Sequence, residues 1–99
     1  MMDIRIAKDG AALAAALTGS LDTMTAPKLE DALKDLSGVE ALTLDFAGLT
    51  YISSAGLRVL LALQKKMTSV NGTMVVRNVC DAIKEVFEMT GFDAILTVE

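Results

Sequence analysis

The chain has no histidine. That removes the imidazole base of Ser-His and Cys-His nucleophile pairs and the most versatile zinc ligand. Tryptophan is also absent and aromatic residues make up only 4%, so the core must be assembled from Leu, Val, Ile, Ala and Met. The six methionines supply side chains that adapt to irregular gaps. The single cysteine, Cys80, has no partner for an internal disulfide. Lys and Arg never gather into a run, and the net charge is −4. A basic footprint for phosphates is therefore missing, which argues against a nucleic-acid binder. The apolar stretch Val59 to Leu63 is far too short to span a bilayer, and no membrane association is expected. Met-Met-Asp-Ile-Arg-Ile at the amino end places an acid and a base where a secretion signal needs its apolar run, so a cytoplasmic location is expected.

What is present is apolar material: 53% of 99 residues, enough for one core and one domain over residues 1–99 without a metal or disulfide. Ile4 and Ile6 alternate with polar neighbours and predict an opening strand, followed by the hairpin signal Asp9-Gly10. Ala11 to Leu17 has helical alanine content, but Leu13, Ala15 and Leu17 alternate directly after a hairpin turn, which predicts a strand. Gly19-Ser20-Leu21-Asp22 reads as a loop. A helix is predicted from a Thr25 cap, with Pro27 in its first turn and Met24 against Leu29 as a hydrophobic staple. Its stripe runs Leu29, Leu33, Leu36 and ends at Ser37-Gly38. Leu42, Leu44 and Phe46 predict a strand. A second helix spans about Ala55 to Val70, stopped by Asn71-Gly72. Then come a strand at Thr73 to Arg77, a helix at about Asp81 to Met89 with Thr90-Gly91 as its exit, and a last strand at Ala94 to Val98. After the opening β-hairpin, alternating strands and helices predict an α/β domain with a mixed, mostly parallel sheet covered by three to four helices.

The chemistry concentrates between the third strand and second helix. Ser54 precedes an apolar helix in the N-cap position, where its hydroxyl can satisfy a free backbone N–H. Ala55 and Gly56 leave the first turn nearly bare, so another molecule can approach. A helix amino end also tolerates negative charge. Leu57 to Leu63 is more apolar than one buried face needs, leaving Leu57 or Leu61 as an outward docking spot. Arg58 is either a solvated charge or a partner for a phosphate or an acid. Asp22 either satisfies local amides or shapes the surface beside Ser54. Cys80, at a helix start, is either a small buried residue or a redox-sensitive thiol.

Tyr51-Ile52-Ser53-Ser54-Ala55-Gly56-Leu57-Arg58-Val59-Leu60-Leu61 strongly resembles the central motif of the STAS domains of bacterial anti-sigma factor antagonists. Gly19-Ser20-Leu21-Asp22, Leu42-Thr43-Leu44-Asp45-Phe46 and Met89-Thr90-Gly91-Phe92-Asp93 are similar to flanking family segments in the same order, so the resemblance covers the whole chain. It implies a binding protein. Its unphosphorylated form binds an anti-sigma factor that is a GHKL-type serine kinase; phosphorylation of Ser54 ends the interaction, and a PP2C-type phosphatase resets it. The implied partner surface comprises Asp22, Thr23, Ser53, Ser54, Ala55, Gly56, Leu57, Arg58 and Leu61. The sequence departs from the pattern at Ser53, where many phosphorylated members carry an acid, and this makes Ser53 an alternative acceptor. It also keeps open a constitutive STAS-type subunit of a stress-signalling assembly or a phospholipid-transporting ABC system. No cofactor or metal is expected. A catalytic serine would need a Lys or similar base and a Gly-x-Ser-x-Gly elbow, neither of which is evident, so no catalytic residue is expected.

Overall fold

Strand β1 (Met2–Asp9) turns at Gly10 and pairs antiparallel with β2 (Ala12–Leu21) along its whole length. The computed structural model describes residues 2–99. Helix α1 (Ala26–Ala32) leads to β3 (Ala41–Ile52), α2 (Ser54–Ser69) to β4 (Thr73–Arg77), and α3 (Asp81–Thr90), with a 3₁₀ turn at Phe92–Ala94, to β5 (Thr97–Val98). The strands lie side by side in the order β1-β2-β3-β4-β5, and every pairing after the hairpin is parallel.

Three parallel crossovers advance in one direction across the sheet, and the strong right-handed preference of such connections puts their helices on the same face. Burial follows that geometry. Leu13, Ala15 and Leu17, then Leu42, Leu44 and Phe46, then Met74 and Val76 are buried and share one core with Leu29, Leu60, Leu63, Ile83 and Phe87. Their strand neighbours Ala14, Thr43, Asp45, Val75 and Arg77 are exposed or half-exposed. The expectation that helices cover the sheet thus holds for one face only, and the small Ala and Thr side chains of the other face meet solvent. No helix among the described residues is long and apolar enough to cross a membrane.

Several boundaries differ from the sequence reading. The loop expected at Gly19–Asp22 is strand through Leu21, because Gly19, Ser20 and Leu21 pair with Leu49, Tyr51 and Ile52. Correspondingly β3 continues past Phe46. Two register shifts against β2 make its buried residues fall at Phe46, Leu49 and Ile52, a spacing of three that hides the strand period. Helix α1 stops at Ala32 instead of Ser37-Gly38. The Asp35 carboxylate accepts from the Ser37 amide at 3.0 Å, a local turn that competes with helix. Leu33 and Val39 still reach the core from irregular backbone. Met24 is 85% exposed, so the staple with Leu29 does not form. The last strand shrinks to Thr97–Val98 because the 3₁₀ turn takes Phe92–Ala94. At the end of α2 the expected stop holds: Asn71 adopts φ 58° and the Gly72 amide bonds Met67 O at 2.7 Å.

Candidate partner-docking site

The carboxyl ends of β2 and β3 are adjacent, so the segment after Leu21 and the turn after Ile52 emerge together. The Ser53 amide donates to Leu21 O at 2.9 Å and ties the two. On the β2 side, Asp22 organises the turn into α1. Its Oδ1 accepts from the Met24 amide at 3.0 Å and the Thr25 amide at 3.1 Å, and its carbonyl accepts from Ala26 N at 2.8 Å. Thr25, expected as the cap, has helical φ and ψ and makes no side-chain cap bond. Its buried hydroxyl instead donates to Ser20 O at 2.7 Å and accepts from the Asp22 amide at 2.8 Å. Asp22 therefore closes the turn that leads into α1. Desolvation opposes its charge, but bonds from Thr25, backbone then hydroxyl, and from the Met24 amide outweigh it and hold the carboxyl below its ordinary range.

On the β3 side the cap position also shifts by one residue. Ser53 has extended backbone (φ −103°, ψ 177°) and is the N-cap of α2, its carbonyl accepting from Leu57 N at 3.0 Å. Ser54, expected at that position, is the first helical residue and is exposed. Ser53 does not cap with its side chain: its Oγ is enclosed by protein and has no hydrogen-bond partner. An ordinary Ser cap is worth about 1 kcal/mol, whereas removing an unpaired buried hydroxyl is neutral or favourable. Ser53→Ala is accordingly expected to leave the urea unfolding midpoint unchanged or raise it. A drop of the size typical for a lost cap would show that the hydroxyl bonds the helix in solution.

The structure brings together Thr23, Ala55 and Arg58, which line one depression beside Ser54, with Asp22 at the neighbouring strand end. Arg58 is exposed and stands four residues after Ser54, on the same side of the helix. Two residues expected on the surface are not there. Leu57, 8% exposed, faces the core, because it lies at helical spacing on the same buried stripe as Leu60, Leu63 and Met67. Gly56 is buried, and a Cβ on it would lie 2.8 Å from Leu21 Cγ and 2.9 Å from Leu21 O. Leu61 is half-buried. The sequence reading missed two exposed apolar residues at this end of the sheet, Met24 and Tyr51, the latter 54% exposed. Pairing of Tyr51 with Ser20 puts it on the uncovered side of the sheet, a position the register shifts concealed. For Met24 the signal was its place inside an Asp-x-x-Thr turn, which points it away from the helix it was assigned to staple.

Cys80 is half-buried, its Sγ 3.7 Å from Leu49 O. Among the described residues no group of three or more Cys, Asp or Glu could hold a metal ion. Further along the strands, Asp45 accepts from Asn78 Nδ2 at 3.0 Å and the Ala47 amide at 2.9 Å. These bonds, Asn78 first, hold its carboxyl below the ordinary range.

This arrangement matches known proteins. The family described as Mlab, STAS domain, matches residues 4–97. A Bordetella bronchiseptica protein named as an anti-sigma factor antagonist, BtrV, is 36% identical over 99 residues, covering 98% of this chain and 85% of its own. The crystal structure of an anti-sigma factor antagonist from Mycobacterium paratuberculosis superposes with a TM-score of 0.87 at 23% identity, over 99% of this chain and 85% of that one. The Bacillus cell fate determinant SpoIIAA in its phosphorylated form gives a TM-score of 0.78 at 16% identity, over 98% and 91% of the two chains. Those two structures share the fold, and BtrV is related in sequence. From the family match over nearly its whole length, the chain belongs to the STAS domain family.

Proposed function

We propose that this protein is a cytoplasmic anti-sigma factor antagonist whose docking is ended by phosphorylation of Ser54. The observation that carries this reading is the exposed Ser54 hydroxyl on the first residue of α2, beside a first turn carrying only Ala55 and Gly56. BtrV, at 36% identity, is itself named as such an antagonist. The unphosphorylated face binds an anti-sigma factor of the GHKL kinase type, which then releases its sigma factor. That kinase transfers the γ-phosphoryl group of ATP to Ser54 Oγ; the new P–O bond forms as the bond to ADP breaks, and a kinase base takes the hydroxyl proton. The product carries about −1.5 to −2 charges at the centre of the docking face. Within the domain, the α2 dipole and its free amides favour that charge, and Arg58 supplies a cation one turn away. A docked partner covers the phosphate and must strip its water. A PP2C-type phosphatase restores the serine by hydrolysis. Ser53 is the poorer acceptor because its Oγ is enclosed.

A second reading, a constitutive binding subunit, draws on that same Ser53, an uncharged residue immediately before the acceptor. Intact mass after incubation with ATP and the GHKL-type kinases of the same organism separates the two. The expected result is a single added phosphate, lost in Ser54→Ala and kept in Ser53→Ala. A stable complex with no phosphate would establish the constitutive subunit instead.

A further inference from the structure

The chain contains two asparagines, Asn71 and Asn78, and both have left-handed backbone, with φ 58° and 57°. Asparagine enters that region more readily than most residues, which accounts for each of them separately. Their neighbours set them apart. Asn78 is followed by the buried, branched Val79, and its side-chain amide is held, Nδ2 donating to Asp45 Oδ1 at 3.0 Å. Asn71 is exposed at the turn between α2 and β4 and is followed by Gly72.

Packing requires the glycine. A Cβ on residue 72 would lie 2.6 Å from Met67 Cε and 2.8 Å from Glu40 O, and the second of these is backbone that cannot swing aside. The pair that results is chemically labile, because without a side chain on residue 72 its amide nitrogen reaches the preceding side-chain carbonyl carbon unhindered. In this fold that nitrogen is engaged: the Gly72 N–H donates to Met67 O at 2.7 Å. The flanking amides are tied as well, Asn71 N to Thr68 O at 3.1 Å and Thr73 N to Glu40 O at 2.9 Å. These bonds nevertheless sit in a surface segment. Thr68 to Asn71 are all exposed, Val70 by 59%, and such segments open at lower free energy than the core around them.

We propose that Asn71 is a deamidation site whose reaction is gated by opening of the α2–β4 turn. Once the bond to Met67 O is broken, Gly72 N gives its proton to solvent hydroxide and attacks Asn71 Cγ. The new N–Cγ bond closes a succinimide ring, while the Cγ–Nδ2 bond breaks and ammonia leaves with a proton from water. Water then opens the ring at either carbonyl, leaving aspartate or isoaspartate at position 71. In the isoaspartyl product the main chain runs through the former side chain and is one methylene longer. The Gly72 and Thr73 amides can no longer both reach their acceptors, so β4 loses the anchor that sets Thr73 beside Ala41. The modification thus marks molecules that have opened and hinders their closing again.

The test incubates the full chain in mildly alkaline buffer, native and in denaturing guanidinium chloride, and follows tryptic peptides by mass. Cleavage after Lys66 and Arg77 separates the two asparagines into Met67–Arg77 and Asn78–Lys84. In denaturant Met67–Arg77 should gain the mass difference between an amide and an acid, with isoaspartate the larger product, while Asn78–Lys84 stays unchanged. In the native chain the same gain should be slower by roughly tenfold or more, and its rate should follow hydrogen exchange of the Gly72 amide. Asn71→Gly, which keeps a residue suited to left-handed backbone, should retain the fold and abolish the gain. Equal rates in the native and denatured chain would overturn the gate. No gain at Asn71 in denaturant, or a faster one at Asn78, would overturn the site.

Discussion

Ser54→Asp is expected to weaken capture of the anti-sigma factor more than a hundredfold and to leave the melting temperature within a few degrees of wild type. The two halves of this result have one cause. At the first position of α2 a carboxylate lies beside the free amides and the positive end of the helix dipole, where negative charge is favoured. The side chain is exposed, so the fold has no cavity to adjust. A docked partner covers that charge and strips its water. A loss of about 3 kcal/mol in binding already exceeds a hundredfold in affinity. Calorimetric titration with the kinase, alongside a thermal melt, measures both. Tight binding by Ser54→Asp with an intact fold would rule out charge at Ser54 as the switch and favour the constitutive subunit.

The largest expected loss of stability comes from Gly56→Val. The helix begins so close to the strand end that even one added carbon would sit 2.8 Å from both Leu21 Cγ and Ile52 Cγ1 and 2.9 Å from Leu21 O. Two of these contacts belong to the body of buried side chains and the third to backbone, so none can swing aside. Overpacking of this kind costs about 1–3 kcal/mol per site, and valine adds two further methyls. We expect the melting temperature to fall by roughly 10 °C or more, given about 4–8 °C per kcal/mol in a domain of this size. Gly56→Ala should fall by less, because better helix propensity offsets part of the clash by about 1 kcal/mol. The damage should also reach the proposed docking face, since α2 must move away from Leu21 and stretch the Ser53–Leu21 bond that joins its two halves. A wild-type melt for Gly56→Val would mean that helix and strand separate here at little cost.

How much of this was legible in the sequence depends on whether a single period governs the segment. Leu13-Ala15-Leu17 and Leu42-Leu44-Phe46 alternate strictly, and both strands are found where the alternation puts them. The end of α2 was legible because Asn71 and Gly72 are residues suited to leaving a helix. The continuation of β3 was not, because two register shifts replace the spacing of two by a spacing of three. Helix α1 misled for the opposite reason: Leu29, Leu33 and Leu36 keep helical spacing while the backbone leaves the helix after Ala32. Buried contacts can be met from irregular chain when a local turn such as Asp35–Ser37 is available. At the candidate site, the motif pointed to Ser54 and its neighbours, but the one-residue shift of the cap to Ser53 decides which hydroxyl is enclosed and which residue is presented. That distinction depends on backbone angles, which residue types alone do not determine. The exposure of Met24 and Tyr51 is likewise a product of the turn and the register shifts.

The order of the strands across the sheet is also their order along the chain. Each strand therefore finds its neighbour already made when it arrives, and no later segment has to be threaded between two earlier ones. Closing each step involves only the intervening helix and its loops, so the entropy lost per step stays modest. The sheet can therefore grow from its hairpin outward, setting both walls of the Ser53–Leu21 junction before α3 and the last strand have docked.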